Sequence, residues 1–571
     1  MTIQAVFNVA EICAQHGITD VVLSPGSRSA PLTLAFARHP ALTVRVVPDE
    51  RAAAFIGLGL AQAQRRAVAL VCTSGTAGLN YAPAVAEAFF QQIPLVIFTA
   101  DRPPEWIDQL DGQTIRQRNL YGAHAKGAFE FPVDTSHADA KWHSARIVNE
   151  AINLAQAEPA GPVQVNVPLR EPFYPKAGEA IGYEADVKIT RELPGSTGLT
   201  DADLADFTQQ LRTAERVLIV AGQQPADERL THALQAFSAA YGTPIVGDTI
   251  ANIEAVDNFT VGRQDVFLAG LSTEQKTELR PDLLITFGQS LISKSLKLFL
   301  RDVAPQRHWH LQAIGPAADT FRSLNAIVRV EPAAFFARLA SKTTAHQHAP
   351  AAPWHQAEKA ATFFLKGFFA TEGQPFNEFS AFYHTLASLS ERTALHLANS
   401  MAVRYANIIG IPQGRHIEVF ANRGTSGIDG CTSTAVGAAL AQPQRPVVLL
   451  TGDMAFFYDR NAFWHNYPTP NLRVVLFNNH GGGIFRIIDG PRQQPELDEF
   501  FETLQTLTAE NTARDFNLRY FPVSSFDELD SALPVFFAAE GGAAILEVFT
   551  DSKTNAAFFE QYRAAVKQAF S

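Results

Sequence analysis

The sequence predicts an α/β protein of three doubly wound parallel-sheet domains, and three observations carry that expectation. Apolar runs of four to seven residues alternate with helix-length segments along the chain, which is the pattern of parallel strand–helix units. The 571 residues exceed what one hydrophobic core supports and match about three domains. The first and last thirds also echo one another, as two domains wound alike would.

Taken in order, the first domain, 1–185, contains the strand-like runs DVVLSPG, VALVCTSG and LVIFTADR, each ending in small or polar residues. A boundary falls in Gly182–Thr200, and the central domain, 196–340, contains RVLIVAG and DLLITFG. ASKTTAHQHAPAAP, Ala340 to Pro353, has no periodicity and reads as a linker, 341–356. The third domain, 357–571, contains VVLLTGD and RVVLFNN. Placing Ser24 over Leu397 brings Val46–Gln62 over Val419–Ala435 in the same register, and VALVCTSGTAG then pairs with PVVLLTGDMAF.

With 46 Lys+Arg against 57 Asp+Glu, the net charge of −11 argues against nucleic acid or an anionic membrane as the main partner. An anionic substrate must then be held by local clusters of cations. Cys13, Cys72 and Cys431 lie far apart without a CxxC, so neither disulfides nor a zinc site is expected. The opening MTIQAVFNVAEICAQHG lacks a basic flank before a long apolar core, and the expected location is the cytoplasm.

In parallel sheets, ligands bind beyond the carboxyl ends of the strands, where loops share a crevice. Asp453 follows one strand and Asn478-Asn479 the next, with FFYDRNAFWHN between them as a crossover helix. An isolated Gly-Asp is usually a turn. Here a carboxylate and an amide become neighbours, flanked by Gly452 and by Gly481, Gly482 and Gly483, which suits Mg²⁺ on a diphosphate.

Gly452-Asp453, followed 26 positions after Asp453 by Asn479, resembles the metal–diphosphate motif of thiamin-diphosphate enzymes. SPGSRSAPL (24–32), DERAAAFIGLGLA (49–61), TSGTA (73–77), TADRPPE (99–105), QTIRQ (113–117), NSMAVR (399–404), NRGTSGIDG (422–430) and NNHGGGIF (478–485) narrow the match. Together they are similar to the synthases of menaquinone biosynthesis that decarboxylate 2-oxoglutarate and add the succinyl unit to isochorismate. The resemblance is dense in the outer domains and thin in the middle one. It implies pyrimidine-binding, central and diphosphate-binding domains in that order, a transferase using thiamin diphosphate with Mg²⁺ or Mn²⁺, and at least a homodimer.

The resemblance also implies site residues. Glu50 falls on the catalytic glutamate that contacts the cofactor's aminopyrimidine. Ile428 would prop the bent cofactor, with Gly452, Asp453, Met454, Ala455, Asn479 and Gly481 holding its diphosphate end. Asp453, Asn479 and Gly481 would hold the metal. Arg28, Arg102, Arg404 and Arg423 would bind the substrates' carboxylates, assisted by Ser27, Gln113, Ser400 and Lys294, with Ile484 and Phe485 as a dry wall. Ser295 follows Lys294 where some relatives have arginine, and Lys297 is two further on.

Read bottom-up, Glu50 is also a favourable acid in the first turn of a helix. Its neighbours Ala52, Ala53, Ala54, Phe55 and Ile56 predict a buried carboxyl with a raised pKa. Ala52–Ala61 is apolar all round, which predicts packing at a subunit interface. Two rivals are weaker. GQSLISKS (288–295) nearly spells a phosphate-binding loop, but Ser293 replaces the glycine its tight turn requires. Another thiamin-diphosphate decarboxylase or carboligase acting on smaller substrates would not need four arginines.

Overall fold

The computed structural model describes residues 3–171, 173–174, 180–193, 195, 198–253, 256, 259–341 and 352–571. Most of the expected linker, 341–356, and part of the boundary at 182–200 lie outside them.

Three six-stranded sheets follow in sequence. The first comprises β1 (Asp20–Leu23), β2 (Thr43–Val46), β3 (Val68–Cys72), β4 (Leu95–Asp101), β5 (Gly127–Glu130) and β6 (Val163–Pro168), in the order β2-β1-β3-β4-β6-β5. The second comprises β7 (Val217–Ala221), β8 (Ile245–Gly247), β9 (Thr260–Val261), β10 (Leu283–Phe287), β11 (Arg307–Leu311) and β12 (Ala326–Val328), in the order β12-β11-β10-β7-β8-β9. The third comprises β13 (Ala394–Leu397), β14 (Glu418–Ala421), β15 (Val447–Gly452), β16 (Leu472–Asn478), β17 (Arg519–Val523) and β18 (Ala544–Phe549), in the order β14-β13-β15-β16-β18-β17. Adjacent strands in all three sheets run parallel.

The first and third sheets share one strand order, so the sequence echo reflects a common topology. Their central strands are apolar and buried along their length because helices cover both faces. The middle sheet has the order of a dinucleotide-binding fold, yet its switch point docks other parts of the chain. Gln223 Nε2, just past β7, donates to Gln91 Oε1 at 3.2 Å and to the Ala421 carbonyl at 2.9 Å.

The helix Glu50–Gln64 lies against Cys431–Ala441 of the third domain. Its N-cap Asp49 accepts from Ala52 N at 3.1 Å, and the other carboxylate oxygen accepts from Asn461 Nδ2 at 2.8 Å. A Cβ at Gly59 would lie 2.0 Å from the Thr434 carbonyl oxygen, and one at Gly437 would lie 2.2 Å from that of Ile56. The glycines therefore let two backbones touch. Ala52 to Ala61 are all buried, between this contact and the first domain's own sheet, where a Cβ at Gly57 would lie 2.4 Å from Leu70 Cδ2. The expectation that this stretch needs a subunit interface is thereby corrected: the chain's own first-domain sheet and third domain cover it between them.

The rival phosphate-loop reading also meets a physical answer. The amides of Ile292 and Ser293, which such a loop would turn toward an anion, donate to the Asp248 carboxylate of the protein itself.

Candidate active site

The residues expected to hold a diphosphate lie at the carboxyl ends of β15 and β16, which pair through Gly452 and Phe477. Asp453 opens the short helix Asp453–Tyr458, followed by a 3₁₀ turn at Arg460–Phe463, so the crossover is briefer than FFYDRNAFWHN suggested. Asp453 is 2% exposed, a buried group and not one in an open crevice. It accepts from Gln505 Nε2 at 2.8 Å, and Gln505 also donates to Asn478 Oδ1 at 3.1 Å. Burial, partly offset by the Gln505 hydrogen bond, pushes its pKa up to about 6.

Asn479 Nδ2 donates to Glu378 Oε2 at 2.8 Å, while its Oδ1 is buried without a hydrogen-bond partner. An orphaned amide oxygen near a desolvated carboxylate is what a hard cation would satisfy. The residues present therefore fit Mg²⁺ with Asp453 and Asn479 as side-chain ligands and Gly481 offering its backbone. Glu378 escaped the sequence reading because nothing in QPFNEFS separates it from an ordinary first-turn acid. Desolvation pushes its pKa up to about 7, with the Asn479 hydrogen bond opposing and Asp453 reinforcing the shift.

Met454 and Ala455 continue the helix after Gly452, and Met454 N donates to Asp453 Oδ1 at 2.8 Å. Ile428 is half-buried in the loop between β14 and the helix Cys431–Ala441, packed on the third domain's core. Gly481 is buried, and Ile484 and Phe485 are half-buried on the helix Ile484–Ile487, with the Phe485 ring 5.8 Å from that of Phe501.

Glu50 lines a cleft of about 250 Å³ together with Thr73–Ala77, Asp111 and Gln113–Ile115. It is half-buried there and not enclosed by Ala52–Ile56, which turn into the helix–helix contact. Every residue lining this cleft belongs to the first domain, whereas the side chains hydrogen-bonded to Asp453 and Asn479 belong to the third.

The four arginines form two pairs. Arg28 is buried, donates to the Leu169 carbonyl at 3.1 Å and sits 4.5 Å from the centre of the Phe173 ring. Desolvation, then neighbouring Arg102, lowers its pKa. Arg102 donates to Asp111 Oδ2 at 2.8 Å and to the Gly112 carbonyl at 2.7 Å. On the third domain Arg423 donates to Asn399 Oδ1 at 2.9 Å, and desolvation followed by Arg423 lowers the pKa of Arg404, whose Nη1 donates to the Ser400 carbonyl. Ser400 takes a left-handed φ of 71°, turning the chain into the helix Met401–Ile409. Among the described residues, none of Arg28, Arg404 and Arg423 forms an ion pair with a carboxylate, whereas Arg102 pairs with Asp111. Ser27 and Gln113 are exposed.

Lys294 is exposed at the first position of the helix Lys294–Val303. Lys297, one turn on, is half-buried, and desolvation depresses its pKa while nearby Asp248 opposes and Arg423 adds to the fall. Lys297 therefore stands in the field of Arg423. Helical spacing, which puts it one turn from Lys294, was the signal available in the sequence.

Comparison with known proteins accords with this geometry. Residues 3–123 match the thiamine pyrophosphate enzyme N-terminal TPP binding domain, 197–397 the middle domain, and 404–548 the C-terminal TPP binding domain. The 2-succinyl-5-enolpyruvyl-6-hydroxy-3-cyclohexene-1-carboxylate synthase of Cytophaga hutchinsonii is 46% identical over 569 residues, covering 99% of this chain and 100% of the relative. The chain belongs to this synthase family. The synthase of Flavobacterium johnsoniae is 37% identical, covering 97% of each chain, and that of Porphyromonas gingivalis 38%, covering 97% of this chain and 95% of its own. No helix among the described residues is long and apolar enough to cross a membrane.

Proposed function

We propose that the protein is a thiamin-diphosphate-dependent transferase of menaquinone biosynthesis that decarboxylates 2-oxoglutarate and adds the succinyl unit to isochorismate. The observation that carries the substrate reading is the set of guanidiniums at Arg28, Arg404 and Arg423 that form no ion pair with a carboxylate among the described residues of an acidic protein. Arg28 is buried and Arg423 half-buried, and taking an arginine out of water without an anion is costly, whereas Arg404 is exposed and free to turn toward a ligand. Planar forks of this kind bind a carboxylate by two parallel hydrogen bonds. The two substrates bring four carboxylates between them.

Asp453, Asn479 and Gly481 would hold Mg²⁺ or Mn²⁺ on the cofactor's diphosphate, with Gly452, Met454 and Ala455 close by. Thiamin diphosphate, when bound, supplies a nucleophilic carbon and an electron sink for the decarboxylation of a 2-oxoacid. Glu50, which lines the first-domain cleft, would hold or take up a proton at the cofactor's aminopyrimidine, and Ile428 would shape the seat. Ile484 and Phe485 exclude water from the reacting atoms, while Ser27, Gln113, Ser400 and Lys294 add hydrogen bonds to the substrates. Lys297 joins the cations that hold an anion near Arg423.

The Glu50 cleft and the Asp453 cluster lie on different domains, and the family resemblance favours a homodimer in which each site takes one half from each chain. Product analysis after incubation with thiamin diphosphate, Mg²⁺, 2-oxoglutarate and isochorismate tests the reading. It predicts the succinyl adduct with one carbon dioxide released per adduct. Succinic semialdehyde as the main product would instead favour a simple decarboxylase.

A further inference from the structure

Glu87 lies in the first domain, on the helix Ala82–Gln91, and is 1% exposed. Its carboxylate is spent on another domain. Gly424 N donates to Oε1 at 2.7 Å, and Thr425 N donates to Oε2 at 2.6 Å, with the Thr425 hydroxyl on the same oxygen. Gln91 Nε2 donates to Oε1 at 2.5 Å. Both oxygens are satisfied, and two of the four bonds go to consecutive backbone amides of one loop.

That loop, Asn422 to Gly430, carries Arg423 and Ile428. Asn399 Nδ2 donates to the carbonyls of Asn422 and Gly427, both at 2.7 Å, and Asn399 Oδ1 accepts from Arg423. The loop is thus pinned by an amide from its own domain and by a carboxylate from the first. Its backbone comes so close to the Glu87 helix that a Cβ at Gly424 would lie 2.7 Å from the Glu87 carbonyl oxygen. Asp248 and then Glu87 act on Arg423 as nearby negative charges, opposing the fall in the guanidinium's pKa that desolvation causes.

We infer that Glu87 is a positioning residue for the substrate-binding loop: by fixing the Gly424 and Thr425 amides from the first domain, it sets where Arg423 presents its guanidinium to a substrate carboxylate. The inference rests on the substrate role given to Arg423 in the proposed function. A carboxylate can accept from two adjacent amides at once, whereas a carboxamide has one acceptor oxygen and turns its NH₂ toward the other donor.

The test is a kinetic cycle of Glu87→Gln, Arg423→Ala and the double variant, with thiamin-diphosphate affinity measured by calorimetry and folding by thermal melt. Glu87→Gln is expected to raise KM about tenfold for the substrate whose KM rises in Arg423→Ala, with cofactor affinity within about threefold of wild type. The double variant should have the KM of Arg423→Ala alone, because Glu87 acts through that side chain. A folded Glu87→Gln with unchanged KM for both substrates, or independent effects that multiply in the double variant, overturns the role of Glu87. Should Glu87→Gln fail to fold, Thr425→Val removes only the hydroxyl contact; a two- to threefold rise in the same KM supports the role, and no rise overturns it. A wild-type protein that forms no adduct refutes the functional reading instead, and the wild-type arm separates the two failures.

Discussion

Asn479 donates its amide hydrogen to Glu378 at 2.8 Å, and this one bond fixes which way the amide faces. The oxygen is left buried and without a partner, turned from Glu378. Glu378 in turn accepts from Asn555 Nδ2 at 3.2 Å, so its carboxylate is itself held in place. An outer partner of this kind typically changes metal affinity by about ten- to a hundredfold when removed. Glu378→Ala should therefore weaken Mg²⁺ binding at saturating thiamin diphosphate by at least about tenfold on that scale. Glu378→Gln keeps an acceptor and should recover most of the loss. Calorimetric Mg²⁺ titrations decide it, and an unaffected alanine variant would remove Asn479 from the metal site.

Glu50 lines a cleft made only of first-domain residues, which separates its proton chemistry from diphosphate binding. Glu50→Gln keeps the shape but cannot exchange a proton, so turnover should fall about a hundredfold or more with cofactor affinity nearly unchanged. Asp453→Ala should lose Mg²⁺-dependent cofactor binding. Mixing these two inactive chains under exchange conditions should restore part of the activity, since a heterodimer then contains one site with both native halves. Heterodimers that form and stay inactive would contradict a shared site.

Asp459 gives a pH signature. It is fully buried, accepts from the amide and hydroxyl of Ser433 at 2.7 Å each, and lies 3.7 Å from Arg51. Burial pushes its pKa up to about 7 despite those partners. Between the ordinary carboxylate value and about 7 the folded state holds a proton that the unfolded state has released. This group's contribution to stability is therefore full below pH 4 and declines as pH rises toward 7. Asp459→Asn can accept from the Ser433 amide and donate to its hydroxyl without any charge. The variant should gain at least about 1 kcal/mol on wild type between pH 4 and 8, the scale of one pKa unit. Parallel denaturant curves at the two pH values check this, and an unchanged difference would show that the carboxylate stays charged.

Much of the fold was legible because parallel strands buried on both faces leave continuous apolar runs such as VVLL and VALVC, and because the outer domains repeat one topology. Asp453 and Asn479 could be placed for the same reason: each directly follows a strand of one sheet. Contacts between distant segments were not legible. Ala52–Ala61 looked like a subunit surface because sequence cannot show that Gly59 and Gly437 admit a helix from the same chain. Glu87, Glu378 and Asp248 read as ordinary acids, since what distinguishes them is the backbone amide or side chain brought to them by another part of the fold. Lys294 and Lys297 are one turn apart, and only the packing of their helix decides which of them feels Arg423.

Substrate choice tests the central claim most directly. With thiamin diphosphate and Mg²⁺ present, carbon dioxide release and loss of isochorismate absorbance are followed together, with 2-oxoglutarate or pyruvate as donor. Losing one charge-assisted contact to an arginine costs about 1.5–3 kcal/mol, so 2-oxoglutarate should be favoured at least about tenfold. Release of carbon dioxide should then match consumption of isochorismate mole for mole. Pyruvate used as readily as 2-oxoglutarate, or carbon dioxide released at the same rate without isochorismate, would contradict the account.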